Sequence, residues 1–431
     1  MHETIPENPD VPVWAREDAF PEALDGWGWI DAKEKSHVCD SRESLIAAIR
    51  DDRNGSLVLV WAPGHSRMIL PEELDGTGDA LRAARAHWTR DYLEDATRRL
   101  HWLGMILLGF SGYAFYGGWI LSKRETASSG MAIDFFEQLK FAGGTMLRST
   151  HAGLALLLFV IFAFIPWYQA RKGRNNLPKW TDVGIAESVP TIRFETWLER
   201  QKAPVTKILL GLITLVALAQ MFSGVKTIGW GSWAVLIHNW SGTSAAGLMK
   251  EHFRAVEWWR LFTAPFLHGN MVHFLMNASA LVYLGKRVEV FARWPHLPLV
   301  YLFAAWCGGE ASARLVAAPS VGASGGLMGW LGFLLVFETL HKRLVPLGAR
   351  RRLAAGVVLT AVIGLVGYRF IDNAAHAGGL FAGMLYAVIV FPSSSSSNRP
   401  RPNISDRLAG SAALLVLTGA AVFATMRILG G

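Results

Sequence analysis

The sequence predicts an all-α fold, a polytopic membrane helix bundle, with a small α/β region ahead of it. Three observations carry this. Hydrophobic residues make up 52% of the 431 positions and charged ones 18%, which exceeds the apolar content of an average globular chain. Nine intervals lack Asp, Glu, Lys and Arg: 100–122, 149–170, 208–225, 261–285, 294–309, 315–337, 353–368, 373–398 and 408–426. They are long enough, or nearly so, for the helix of about twenty residues that crosses a bilayer. Lys and Arg collect between these intervals, as the positive-inside rule expects.

The first stretch, 1–95, reads as a small soluble region. Asp40 followed by Glu43 resembles a capping box, opening a helix through Leu45, Ile46 and Ile49. Asn54-Gly55 is a turn and 57–60 a strand. A second helix is expected from about residue 79 to about residue 100, and no catalytic constellation is visible here. The early acids Glu3, Glu7, Asp10, Glu17, Asp18, Glu22 and Asp25, with no apolar core, fit neither a transit nor a signal peptide. Residues 96–206 are expected to hold two spans and a basic linker, and 207–392 a functional core. A Ser/Pro linker, 393–407, with Ser393, Ser397, Pro400 and Pro402, then leads to a last span in 408–431. The fifth span should run past Glu310, and the eighth should stop near Pro392.

Basic residues set the orientation. Arg171, Lys172, Arg174, Lys179, Arg200, Lys202 and Lys207 follow the second span; Lys286, Arg287 and Arg293 follow the fourth. Lys342, Arg343 and Arg350 to Arg352 follow the sixth, and Arg399, Arg401 and Arg407 the eighth. These loops alternate correctly and are placed on the cytoplasmic side, with 1–95 beside them and Gly431 outside. Lys123, Arg124, Lys140 and Arg148 run against the rule in the first outer loop. The net charge of +8 follows from these clusters, so no nucleic acid is expected as a partner. Cys39 and Cys307 lie in segments of different kind and in no metal-type spacing, so neither a disulfide, a metal nor a cofactor is expected. The outer loop 226–260 carries Trp230, Trp233, Val235, Leu236, Ile237, Trp240, Leu248, Phe253, Trp258 and Trp259, a composition suited to the membrane interface.

With this topology the fourth, sixth and eighth spans all enter from the outer face. His273 and Asn277 sit early in the fourth, Ser324 early in the sixth, and His376 opens the eighth. Polar groups in apolar spans are expensive and point to function. Ser324 needs a base to act as a nucleophile. His376 is the candidate, because a neutral imidazole can accept the hydroxyl proton. Gly325 and Gly329 are one turn apart, as are Gly379, Gly383 and Ala387, and such faces let helices approach closely. No acidic third partner is evident, so a dyad is expected rather than a triad. An oxyanion would be met by the Ser324 N–H at a helix start and by His273 and Asn277, which share a helix face at i, i+4. Bland readings exist for each. Ser324 could bond back to its own helix, and Gly-x-Ser-Gly is not a hydrolase elbow without a preceding strand. His376 could be a bundle histidine or a proton relay. His268 reads as structural, and Glu289 as a partner of Arg287, Arg293 or a main-chain amide.

Taken together, Glu257-Trp258-Trp259-Arg260-Leu-Phe-Thr, His268 with His273 and Asn277, Gly322-x-Ser324-Gly325 and Ala375-His376-x-x-Gly379 resemble the rhomboid family of intramembrane serine proteases. The likeness runs from about residue 207 to 391. It implies a six-helix core made by the third to eighth spans, with two extra spans before it and one after. It implies Ser324 as nucleophile, His376 as base, and His273 and Asn277 lining the oxyanion hole. The tryptophan-rich loop would be embedded in the membrane, its end held by Trp259 and Arg260. Partners would be membrane lipids and single-pass membrane proteins with helix-weak stretches, entering beside the seventh span under a capping loop. The expected location is a bacterial cytoplasmic membrane. One departure is Met328, where a well-studied branch has a tyrosine packing on the histidine; a thioether can also pack on an imidazole. A non-catalytic scaffold of this family would be expected to lose the serine or the histidine. A proton-coupled transporter would show an inverted repeat or paired mid-span acids, and neither is present in the sequence.

Overall fold

A computed structural model of the chain describes residues 11–129, 134–228, 240 and 242–430. It divides into two compact units. The first comprises Phe20–Val189 with Val358–Ile371, and the second the stretch ending at Ala19, Pro190–Val357 and Asp372–Gly431.

In the first unit, strands β1 (Trp27–Asp31), β2 (Ser36–Cys39) and β3 (Leu57–Trp61) form an antiparallel sheet in the order β2-β1-β3. Strand β3 stands where the apolar run foretells it; β1 and β2 are additions to the reading. Gly28 in β1 is there for space, since a Cβ would sit 2.2 Å from the Trp61 ring. Helix α1 (Arg42–Asp51) buries Leu45 and Ile49 against Leu57, Val60 and Leu74. Its cap is Ser41, whose Oγ accepts the Ser44 N–H at 3.2 Å, one residue beyond the expected Asp40.

Helix α2 (Gly78–Ser129) is one rod of 52 residues. It corrects the expectation of a polar helix ending at residue 100 with a separate span after it. Arg98 and Arg99 pair with Asp95 one turn back and carry the helix through the junction. Helix α3 (Phe135–Arg148), capped by Asp134, lies in the stretch read as a plain outer loop. Helices α4 (Thr150–Phe159) and α5 (Ile165–Asn176) are joined by a π-helical turn, Val160–Phe164. The turn sits just before Pro166, whose missing N–H and bulky ring disturb the α ladder. Helix α6 (Asp182–Arg200) replaces part of the expected basic linker.

The second unit is built from α7 (Pro204–Ile228), α8 (Met271–Ala292), α9 (His296–Leu315), α10 (Ser324–Leu340), α12 (Asn373–Val390) and α13 (Ile404–Gly430), with α11 (Leu347–Val366) following α10 in sequence and belonging to this unit only as far as Val357. Helix α12 packs on α9 and α10, and α13 on α7 and α9. Five described helices are long and apolar enough to cross a membrane, and α10 is a shorter apolar one. Helices α8, α9 and α11 have 22, 20 and 20 residues, a spanning length, though α8 in particular carries polar groups. The chain is a multi-pass helical membrane protein, with one small sheet among the described residues.

Several boundaries move. The fourth span begins at Met271 rather than residue 261, because Arg260–Thr263 and Ala264–Phe266 are separate short turns around Pro265. It then continues to Ala292, so Lys286 and Arg287 are helical rather than in a loop. Arg287 is fully buried and grips Glu338 with two hydrogen bonds, Nε to Oε1 at 2.6 Å and Nη2 to Oε2 at 3.0 Å. Pairing of this kind lets a charge sit inside a bundle. Glu289 takes the amide option: its carboxylate accepts the Val205 N–H at 3.0 Å, the Thr206 N–H at 2.8 Å and the Thr206 hydroxyl at 2.8 Å. It thereby satisfies the open N-terminus of α7 from another helix. The sixth span starts at Ser324 instead of residue 315. Helix α9 does pass Glu310, and α12 ends before Pro392.

Candidate active site

The site lies in the second unit and is assembled from three helix starts. Asn270 caps α8, its side chain accepting the His273 N–H at 2.9 Å. This fixes the first turn, from which His273 and Asn277 project on one face. His268, just before the cap, is held by Gln220 of α7: its N–H donates to Oε1 at 2.9 Å and its carbonyl accepts from Nε2 at 3.0 Å. The His268 ring is fully buried and stands edge-on to His273, with centroids 5.2 Å apart. Its place is that of a wall, as the sequence suggests.

The segment leading to Ser324 passes directly over these side chains. Gly322 has φ +126, a conformation open to glycine and strained for other residues. Space imposes the same choice, since a Cβ there would lie 2.7 Å from His273 Cε1 and 3.4 Å from Asn277 Nδ2. The Gly322 N–H is bound to the Ala264 carbonyl at 3.0 Å. Ser324 follows as the first residue of α10 and is half-buried, as is Met328 one turn on.

Helix α12 is capped by Asp372, whose Oδ1 accepts the Ala375 N–H at 2.9 Å. His376 sits in its first turn, with its N–H on the Asp372 carbonyl at 3.0 Å. Glycines bring α10 and α12 together directly below: a Cβ on Gly379 would be 2.0 Å from the Gly325 carbonyl oxygen, and one on Gly383 1.8 Å from that of Gly329. Helix α9 also comes close, since a Cβ on Gly308 would lie 2.6 Å from the Ala375 carbonyl oxygen. Among the described residues no hydrogen bond joins Ser324 Oγ to the His376 ring; such contacts often tighten only when substrate is bound. Asn277 Nδ2 is buried and has no hydrogen-bond partner among the described residues. A buried donor left open costs about 1–3 kcal/mol.

The outer loop is described from Trp240 and Gly242 onward; Trp230, Trp233, Val235, Leu236 and Ile237 lie outside the described residues. Buried Arg260 organises its end. It donates to the Ser244 carbonyl at 3.0 Å and the Gly247 carbonyl at 2.7 Å, and pairs with Glu257 at 2.7 Å. That pairing with Arg260, against a smaller effect of burial, holds the Glu257 carboxyl below the usual range. The Trp259 ring lies under the Arg260 guanidinium and edge-on to Phe423 of α13, with centroids 5.1 Å apart.

One constellation escaped the sequence reading. Lys250 donates to Ser312 of α9, and Ser312 donates to Asp372, the cap of the helix carrying His376. Three residues so distant in sequence give no spacing signal.

Residues 255–393 match the family model described as "Rhomboid domain". Over 135 residues the chain is 35% identical to Rhomboid protease GluP of Bacillus subtilis, covering 30% of this chain and 26% of that protein. It is 34% identical over 146 residues to RHOMBOID-like protein 6, mitochondrial, of Arabidopsis thaliana, covering 33% and 46%. The relatives also include Inactive rhomboid protein 2 of Homo sapiens, 29% identical over 139 residues, covering 32% and 16%. The chain thus spans about a quarter to a half of the length of the first two. With a bacterial and a mitochondrial relative side by side, likeness does not favour the bacterial cytoplasmic membrane expected from the sequence. The matched stretch takes in both the Ser324 and His376 segments, and across it this multi-pass membrane protein carries a rhomboid domain.

Proposed function

We propose that the chain is an intramembrane serine endopeptidase that cleaves membrane-spanning segments of single-pass proteins near the face opposite its basic loops. His376 takes the proton of Ser324 Oγ as that oxygen attacks the scissile carbonyl carbon. The resulting oxyanion is received by the Ser324 N–H at the start of α10 and by the His273 and Asn277 side chains. Collapse breaks the C–N bond, and His376 returns its proton to the departing amine. Water then attacks the acyl ester, with His376 again as base, and Ser324 is restored.

The open Asn277 amide, turned to the Gly322 backbone two residues from Ser324, carries this reading. A substrate helix conceals its peptide bonds in its own hydrogen bonds, so it must unwind before attack; small and helix-weak residues favour this. The test is cleavage of a model single-pass substrate by purified protein in lipid. Ser324→Ala and His376→Ala are expected to abolish turnover, and a serine-reactive phosphonate is expected to tag Ser324. Equal cleavage by all three proteins removes the dyad assignment. A second reading, a non-catalytic scaffold that binds membrane clients, is raised by a relative named inactive. Substrate binding without cleavage in the same assay would select it.

A further inference from the structure

We infer that Lys250, Ser312 and Asp372 form a positioning cluster that holds Ser324 and His376 in register by tying both of their segments to the outer loop. The inference rests on the dyad reading above. Lys250 is 5% exposed and Ser312 0%. The ammonium donates to the Ser312 hydroxyl, which donates to Asp372 Oδ2. The other carboxylate oxygen and the main-chain carbonyl of Asp372 hold the Ala375 and His376 N–H groups. Asp372 therefore fixes the turn from which the imidazole projects.

The same loop also grips the serine. Two residues before Lys250, Leu248 exchanges two main-chain hydrogen bonds with Ser320, at 3.0 and 3.1 Å. Ser320 stands four residues before Ser324, and Asp372 four before His376. One short stretch of loop thus sets both offsets. A buried ammonium and carboxylate are costly even when paired, and an apolar trio would pack as well. What the charged cluster supplies beyond packing is directional fixing of two backbones.

The titratable groups in electrostatic contact here are Lys250, Asp372 and, through Asp372, His376. Burial pulls the Lys250 ammonium down to about 8, against the attraction of Asp372. Burial pushes the Asp372 carboxyl upward, but the hydrogen bonds from Ser312 and Ala375 and the Lys250 charge hold it below the usual range.

The experiment measures kcat and KM for a single-pass substrate in lipid vesicles from about pH 6 to about pH 10. It compares wild type, Ser324→Ala, Lys250→Met, Lys250→Arg and Asp372→Asn. Lys250→Met and Asp372→Asn are expected to lower kcat about 10- to 100-fold with KM within about twofold, the signature of misplaced reacting groups. Asparagine still caps a helix, so Asp372→Asn reports the charge without loss of the helix start. Lys250→Arg should keep the neutral-pH rate and lose the decline of kcat that wild type shows as pH rises through about 8, since arginine stays charged. Should Lys250→Met not fold, Lys250→Arg and Asp372→Asn decide. Unchanged kcat in Asp372→Asn, an effect on KM alone, or a wild-type alkaline limb in Lys250→Arg overturns the inference. Wild-type cleavage by Ser324→Ala would instead overturn the dyad on which it stands.

Discussion

Substituting alanine at Gly379 probes the distance between the two helices that carry the reacting groups. The new Cβ would lie 2.0 Å from the Gly325 carbonyl oxygen. That atom is main chain, so no side-chain rotation relieves the clash. Helices α10 and α12 have to part by at least about 1 Å before the contact becomes tolerable. Overpacking of this kind costs about 1–3 kcal/mol, visible as a lower Tm. The separation also moves Ser324 from His376, and a misplacement of about 1 Å can cost about 100-fold in rate. The assay follows kcat on a single-pass substrate, the rate of phosphonate labelling and thermal unfolding, all in the same lipid. Gly211→Ala is the control: Gly211 lies in α7 with nothing within 4 Å of its Cβ position. Removing a helical glycine there should leave stability unchanged or raise it by up to about 1 kcal/mol. If Gly379→Ala cleaves within about twofold of wild type at an unchanged Tm, close glycine contact is not what sets the geometry.

Asn277→Ala should lower kcat by about 100- to 1,000-fold with little change in Tm, because its Nδ2 gives up no partner on removal; an unaltered rate would deny it an oxyanion role. Arg287→Met leaves the buried Glu338 carboxyl without the two hydrogen bonds of the guanidinium, and should cost about 3–5 kcal/mol in unfolding. Adding Glu338→Leu should recover most of that, and a double variant as weak as the single would count against the pairing argument. Lys250 titrates in the folded chain at about 8 against an ordinary 10.5. Between those pH values the unfolded chain binds more protons, so wild type should gain stability with rising pH relative to Lys250→Met, which lacks this titration. A gap in Tm that stays flat or moves the other way refutes it.

Much of the bundle was legible because burial of charge is so costly that charge-free runs mark its helices. The ends of α9 and α12 were foreseen by overriding that rule, the first because its run is too short for a span and the second because of Pro392. The same rule misplaced Arg287, since it has no means of seeing a charge neutralised by Glu338, 51 residues away. It also cut α2 in two at residue 100, where the chain changes from polar to apolar without changing conformation. Helix α3 went unread because its charges made it look like loop. Ser41 rather than Asp40 caps α1, a one-residue error that composition does not resolve because both types cap well. At the candidate site, serine, histidines and glycines announce themselves by being out of place in apolar runs. Lys250, Ser312 and Asp372 do not, because their meaning arises only from being brought together.

The grip on Trp259 has a consequence for timing. Its ring is closed in by Arg260 from its own segment, and by Phe423 and Arg427 from α13. Helix α13 is made after every group proposed to react, and chains emerge from the ribosome in N-to-C order. While it is still being synthesised, the loop anchor has one jaw missing. A nascent chain would therefore hold its serine and histidine in place before it had a fully braced loop, and competence would arrive last, with the insertion of a helix that bears none of the chemistry.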